Sequence, residues 1–233
     1  MGEGINDIVV RACLSTNFGD NLNSELVRLI SGQTPKLVNN RFGNLEKETI
    51  YMAIGSVLGW ATEETEVWGS GFISDSDFVT DIPTPKRIHA VRGPETRNIL
   101  ITKGIRCPEI FGDPALLMPR FYNPKLEKKY KISVIPHAID RVLIPELTKS
   151  FPNAHFIDVT QDVYKFIDEV IKSEYIISSA LHGCITAYAY GVPYEHQKFS
   201  DKVLGNGFKF EDFEKSKQYI DLDKLLKVCP FVQ

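Results

Sequence analysis

The chain has 233 residues, 43% of them hydrophobic and 24% charged, with a formal net charge of -3. That is enough apolar material for one large core or two small ones, and the charge balance leaves no basic footprint of the kind nucleic-acid binding needs. No stretch approaches the roughly 18 to 20 apolar residues of a membrane span, and the opening MGEGINDIVV lacks the basic flank and apolar run of a secretory signal, so the expected location is the cytoplasm.

Short apolar runs alternate with helical periods along the chain. DIVVRACL reads as a strand, and after a loop Leu22, Leu26, Leu29 and Ile30 share one helical face. TEVWGSG repeats the strand signal, and RIHAV leads into a helix over 94–103, with Pro94 in a tolerated first-turn position and Gly104 where a left-handed cap is wanted. YKISVIPH precedes a helical region over 140–149. AHFIDV precedes an amphipathic helix on which Val163, Phe166, Ile167, Val170 and Ile171 share a face, and YIISS runs into the apolar helix of ALHGCITAYAYGVP. This alternation means an α/β fold with mostly parallel strands. Between the halves, the two prolines and basic cluster of PRFYNPKLEKKYK predict a surface connection, dividing the chain into 1–122 and 123–233. Cys13, Cys107, Cys184 and Cys229 lack paired spacing, so reduced thiols are expected, with no disulfide framework and no metal site. Glu63 and Glu64 have no motif context and read as a solvated face.

Four segments share one grammar, an apolar run and then a sharp polar turn: Gly69, Ser70 and Gly71; Arg92, Gly93 and Pro94; Pro136, His137 and Asp140; Ser178, Ser179 and His182. Ligands of open parallel sheets bind beyond the carboxyl ends of the strands, where all four turns are expected. A helix starting near Leu181 would aim its free N–H groups at such a ligand, with the hydroxyls of Ser178 and Ser179 as further donors. Arg92 offers a planar fork suited to phosphate or carboxylate, and the glycines allow close backbone approach. The expected ligand is small and anionic. The alternative for each group is structural: a tight GSG turn, serines capping the next helix, Arg92 and Arg97 on a solvated edge, Asp20 capping a helix from about Asn21.

NFGDNLN, VWGSGFI, VRGPETRNIL, GDPALLMP, IPH and SSALHGCITAYAYGVP, in this order and covering most of the chain, resemble the polysaccharide pyruvyl transferase family. The resemblance implies two Rossmann-like domains facing each other across a cleft, as in GT-B glycosyltransferases, with 1–122 on the acceptor side and 123–233 on the donor side. It implies transfer of pyruvate from phosphoenolpyruvate onto two hydroxyls of a sugar, oligosaccharide or lipid-linked glycan, forming a cyclic ketal with no cofactor beyond the donor. His182 matches the family's general acid. The backbone at Leu181 and the side chain of Arg92 match donor-holding positions, so replacing Arg92 is expected to weaken donor binding and move the melting temperature little. Ala180 departs from the arginine common in the family and fits a succinoglycan-type subgroup; the phosphate is then expected to lean on Arg92, Arg97, Ser178, Ser179 and helix N–H groups. His137, Asn17 and Asp20 fall on the same predicted edge and would orient donor or sugar. A helix start disfavours a charged imidazole whereas bound phosphate and carboxylate favour it, so donor binding itself would arm the acid. Two other readings share these features: a nucleotide-sugar glycosyltransferase, for which no base-stacking and ribose-binding loop is found, and a non-catalytic paralogue that binds an anionic metabolite or glycan.

Overall fold

The computed structural model describes residues 7–13, 17–39, 48–75 and 82–231; the opening MGEGIN, read for the lack of a signal, lies outside them. Two parallel sheets divide the strands. In the first, β1 (Val9–Arg11), β2 (Lys36–Val38), β3 (Ile50–Met52), β4 (Thr65–Trp68) and β5 (Arg87–Ala90) lie in the order β2-β1-β3-β4-β5, with α1 (Phe18–Ser31) after β1 and α2 (Pro94–Thr102) after β5. In the second, β6 (Ser133–Ile135), β7 (His155–Phe156), β8 (Ile176–Ser178) and β9 (Tyr194–His196) lie in the order β7-β6-β8-β9. Here α3 (Ile144–Ser150), α4 (Val163–Ile171) and α5 (Leu181–Ala189) supply the crossovers, and α6 (Phe208–Ser216) and α7 (Leu222–Lys227) follow. The alternation of strand and helix is thus an α/β fold with parallel sheets.

Each sheet steps once to one side of its first strand and then winds the other way. The reversal lies between β1 and β3 in one sheet and between β6 and β8 in the other. At such a point successive connections depart to opposite faces and leave a crevice at the carboxyl ends. The turns after β1, β3, β6 and β8 therefore carry Asn17–Asp20, Ser56, His137 and Ser178–His182.

The halves share packing. One buried cluster runs from Val10, Phe18 and Leu22 to Phe166, Ile176, Leu181 and Leu225. The start of α1 docks on the second half: the Phe18 N–H donates to the Val159 carbonyl at 2.6 Å, and the Phe18 ring stacks on Phe166 with centroids 4.0 Å apart. In return, α6 packs on α2 and α7 on the 3-10 helix Pro114–Arg120. The Trp68 indole donates to the Leu225 carbonyl at 2.9 Å. No helix among the described residues is long and apolar enough to cross a membrane.

Three local expectations need adjustment. The α1 helix begins at Phe18, because the Asn17 side chain accepts from the Gly19 N–H and so supplies the cap expected of Asp20. The helical region over 140–149 is a 3-10 turn, Ala138–Leu143, running into α3, whose first turn carries Pro145; proline lacks the N–H a continuous helix would use there. The PRFYNPKLEKKYK stretch begins inside the 3-10 helix and only then becomes a surface connection, pinned where the Lys128 ammonium donates to the Ile171 and Ser173 carbonyls. Cys13, Cys107, Cys184 and Cys229 are not joined in disulfides, and Glu63 and Glu64 are exposed.

Candidate active site

His182 stands one residue into α5, with its side chain 14% exposed. The backbone of α1 presses on one edge of the ring: a Cβ at Gly19 would fall 2.1 Å from His182 Nδ1, so only glycine lets the first turn of α1 approach this closely. On the other edge, Nε2 faces the Asp113 Oδ2 at 3.4 Å. Both atoms are buried and have no hydrogen-bond partner. The other Asp113 oxygen accepts from the Ala115 N–H at 3.0 Å, which locks the carboxylate as the cap of the 3-10 helix. Asp113 belongs to the GDPALLMP motif, yet sequence reasoning gave it no role. The signal was an Asp-Pro pair, which also marks countless ordinary helix starts.

The GSG turn serves this arrangement through packing. Gly69 has φ +91°, and a Cβ there would meet the Pro114 ring at 2.3 Å, so the glycine brings the residue after Asp113 against the end of β4. The Ser70 hydroxyl donates to the Gly55 carbonyl at 2.9 Å. A Cβ at Gly71 would fall 2.5 Å from Arg92 Cζ, because the turn lies against the guanidinium.

Arg92 is fully buried, with a donor on each nitrogen engaged: Nε to Asp212 at 2.9 Å, Nη1 to the Ser56 hydroxyl at 2.7 Å and Nη2 to the Phe72 carbonyl at 2.7 Å. Asp212 also accepts from the Thr96 N–H and hydroxyl. The solvated-edge alternative therefore does not describe Arg92. Its fork grips protein, tying the turn after β5 to α6 and to the turn after β3. Arg97 is not brought to the site: it donates to the Cys107 carbonyl at 3.2 Å and pairs with Glu109 at 3.1 Å.

Ser178 and Ser179 are likewise turned inward. The Ser178 hydroxyl accepts from the Ala180 N–H at 3.0 Å and faces the Ile135 and Ala180 carbonyls. Ser179 donates to Asp140 at 2.7 Å and accepts from the His137 N–H at 2.8 Å. The expectation that both hydroxyls donate to an anion thus meets hydroxyls already engaged in the fold, where they brace the turn after β8 against the turn after β6. Nor do they cap α5: its N-cap is Ala180, and no side chain accepts from its first N–H groups. The Gly183 N–H turns back to the Ala180 carbonyl at 3.0 Å, which leaves those of Leu181 and His182 for a ligand or solvent. Ala180 is only 4% exposed, so an arginine there would have to displace packed neighbours.

His137 is held by its own backbone, Nδ1 accepting from the Ile139 N–H at 3.2 Å. Burial, reinforced by the nearby Lys209 and His182, lowers its pKa to about 4 against the pull of Asp140. At neutral pH the ring is uncharged, and with Nδ1 accepting, the proton sits on Nε2 as a donor. Lys209, which sequence reasoning did not single out, stands in the first turn of α6 and is 7% exposed. Burial first, then Arg92, lowers its pKa to about 8, while Asp20 pulls the other way. Asp20 thus lies in the first turn of α1 within electrostatic reach of the α6 start. The structure gathers Gly19, Asp20, Asp113, His137, His182 and Lys209 at the carboxyl ends of the two sheets. Among the described residues no group of three or more His, Cys, Asp or Glu side chains could hold a metal ion.

Residues 67–193, which include the GSG turn, Arg92, Asp113, His137 and His182, match the family model for polysaccharide pyruvyl transferase. The chain is 31% identical over 210 residues to succinoglycan biosynthesis protein ExoV of Rhizobium meliloti (strain 1021), covering 84% of this chain and 60% of that protein. It is also 26% identical over 230 residues to uncharacterized protein L143 of Acanthamoeba polyphaga mimivirus, covering 93% of this chain and 76% of that protein. The chain spans about three fifths of the ExoV length. The matched segment covers more than half of the chain and carries both Asp113 and His182; the chain belongs to the polysaccharide pyruvyl transferase family.

Proposed function

We propose that this protein transfers pyruvate from phosphoenolpyruvate to two hydroxyls of a sugar in a polysaccharide or its precursor, closing a cyclic ketal. The observation that carries the reading is His182 at the uncapped start of α5, half enclosed between Gly19 and the buried carboxylate of Asp113. Protonating the methylene carbon of the donor makes the neighbouring carbon oxocarbenium-like and open to a sugar hydroxyl. His182 is the acid, a part that histidine takes most often in proton transfer to a reacting group. The proton it gives becomes part of the new methyl group, and the ring regains one from the first attacking hydroxyl. The second hydroxyl displaces phosphate, to which its proton passes, so the exchange needs no oxidant or reductant.

In this reading Asp113 orients the ring and steadies it when charged, as an aspartate behind a catalytic histidine does elsewhere. The N–H groups of Leu181 and His182 meet the donor's negative groups. Arg92 acts from beneath, holding Ser56 and the GSG turn in place, and Ser178, Ser179, Ser70, Gly69 and Gly71 fix the turns in which the reacting groups stand. Asn17 and Asp20 shape the α1 side, and Arg97 lies outside the site. Two Rossmann-like units, 1–122 toward the acceptor and 123–233 toward the donor, face one another in the GT-B manner, and the reaction runs in the cytoplasm, where the donor is made. The test is mass spectrometry of a sugar panel incubated with phosphoenolpyruvate, looking for ketal product. His182→Ala should lower turnover at least roughly 100-fold, the lower end of general acid catalysis, while donor binding persists. Ketal formation at the parent rate in that variant would remove His182 as the acid.

A further inference from the structure

Lys209 makes no hydrogen bond or ion pair among the described residues although it is 7% exposed, and its ammonium lies 5.6 Å from the centroid of the neighbouring Phe210 ring. A ring face offsets only part of the cost of drawing an ammonium this far from water, and natural folds keep one in such a place when something else supplies the charge. Two carboxylates of this region are already engaged elsewhere. Asp212, one turn further along the same face of α6, is occupied by Arg92 and Thr96. Asp140 is bonded to Ser179 and Ser200. What remains around the ammonium is mostly positive or neutral: Arg92 from the turn after β5, His137 from the turn after β6, and His196 from β9, whose ring stacks on Phe210 at 3.6 Å. His182 of α5 is within electrostatic reach of His137, and Asp20 of α1 is the one group acting on Lys209 that favours its charge. The first turn of α6 is capped by Gly207 with φ +86° and no side-chain acceptor; the Phe208 and Phe210 N–H groups donate to the Gly205 and Gly207 carbonyls, so what the helix adds is the positive end of its dipole.

We propose that Lys209, at the positive end of α6, holds a small dianion, a phosphoryl group, beside His137 and His182. The proposal rests on the donor-site reading for the identity of that anion, the phosphate of phosphoenolpyruvate before transfer and inorganic phosphate after it. It also answers the departure at Ala180: the cation comes from α6 in place of the residue before Leu181. A point-like ammonium on a flexible stem holds phosphate without requiring a bidentate fork.

The test is calorimetric titration of the full chain, and of Lys209→Met and Lys209→Arg, with phosphoenolpyruvate, inorganic phosphate and pyruvate. The parent should bind the two phosphoryl compounds and pyruvate far more weakly. Lys209→Met should lose at least about tenfold in affinity for both, and Lys209→Arg should keep most of it. Parent affinity for phosphoenolpyruvate should also fall more steeply between pH 8 and 9.5 than that of Lys209→Arg, because the Lys209 pKa is about 8 whereas an arginine keeps its charge throughout. Parent-like phosphate binding by a folded Lys209→Met, or no phosphate binding by the parent, would overturn the proposal. The two readings separate cleanly. Lys209-dependent phosphate binding without ketal formation sinks the pyruvyl transfer and keeps the anion site, whereas ketal formation at parent rate in Lys209→Met does the reverse.

Discussion

Asp113 and Arg92 are both fully buried charged residues, yet they carry different predictions. Replacing Asp113 by Asn keeps an oxygen to accept from the Ala115 N–H, so the helix cap survives while the charge facing His182 is lost. Turnover should fall more than tenfold, about 1.4 kcal/mol of barrier, with the melting temperature little changed; steady-state kinetics beside a thermal melt checks both. Arg92→Ala is the opposite case. It strands the Asp212 carboxylate in the interior, and breaking a buried pair from one side costs about 3–5 kcal/mol. Urea denaturation should read that loss, reversing the sequence expectation that the melting temperature barely moves. Lys209 adds a pH signature. Its folded pKa of about 8 lies below the ordinary 10.5, so the unfolded chain binds more protons between those values and stability rises with pH there. Below about pH 8 the burial penalty is fully present. The stability difference between Lys209→Met and the parent should therefore be largest at neutral pH and shrink toward pH 10.5, which denaturant melts at several pH values measure.

At the scale of elements, the site depends on helices approaching one another without side chains in the way. Gly19 lies in the first turn of α1, where alanine ordinarily stabilises a helix by up to about 1 kcal/mol. Here its methyl would overlap the His182 ring, whose far edge faces Asp113. Gly19→Ala should thus cost activity through His182 rather than through α1: kcat falls, circular dichroism shows helix content kept, and a crystal structure shows the ring displaced. Parent kcat with an unmoved ring would refute the placement. The same elements explain what could be read in advance. Apolar runs such as YKISVIPH and YIISS and the 94–103 helix signal their own boundaries locally, and the motif of His182 places that residue at a helix start, where it stands. Asp113 sits in a motif too, but its meaning lies in a ring delivered from another sheet. GFKFEDF reads as an ordinary amphipathic helix, so neither the pairing of Asp212 with Arg92, 120 positions away, nor the isolation of Lys209 was visible. The serines misled for a related reason: hydroxyls at a helix start look like free donors until their acceptors, the Ile135 carbonyl and Asp140, fold next to them.

Across the whole molecule, the strands separate into two sheets between Ala90 and Ser133, but the chain does not stay divided. The α1 helix of the first half is seated on Val159 and Phe166, and the last segment of the second half returns to the first sheet. Trp68 meets Leu225 through its indole N–H and Phe231 edge-on at 5.7 Å, while Arg92 meets Asp212. Lys209 and Asp212 ride on this returning segment, so the element that completes the first sheet's packing also delivers the proposed anion holder. A chain ended near Ser200 would expose Trp68 and leave Arg92 buried without its carboxylate, an unpaired charge of the costly kind. The expectation is that such a truncation fails to fold, and that the full chain unfolds in one cooperative step. Tryptophan fluorescence, which comes from the buried Trp68 and from Trp60 of the same half, should then change at the same denaturant concentration as circular dichroism of both halves. Two separated transitions, with Trp68 following only one, would mean that the crossing segment adds little to either half and that the units behave as independent domains.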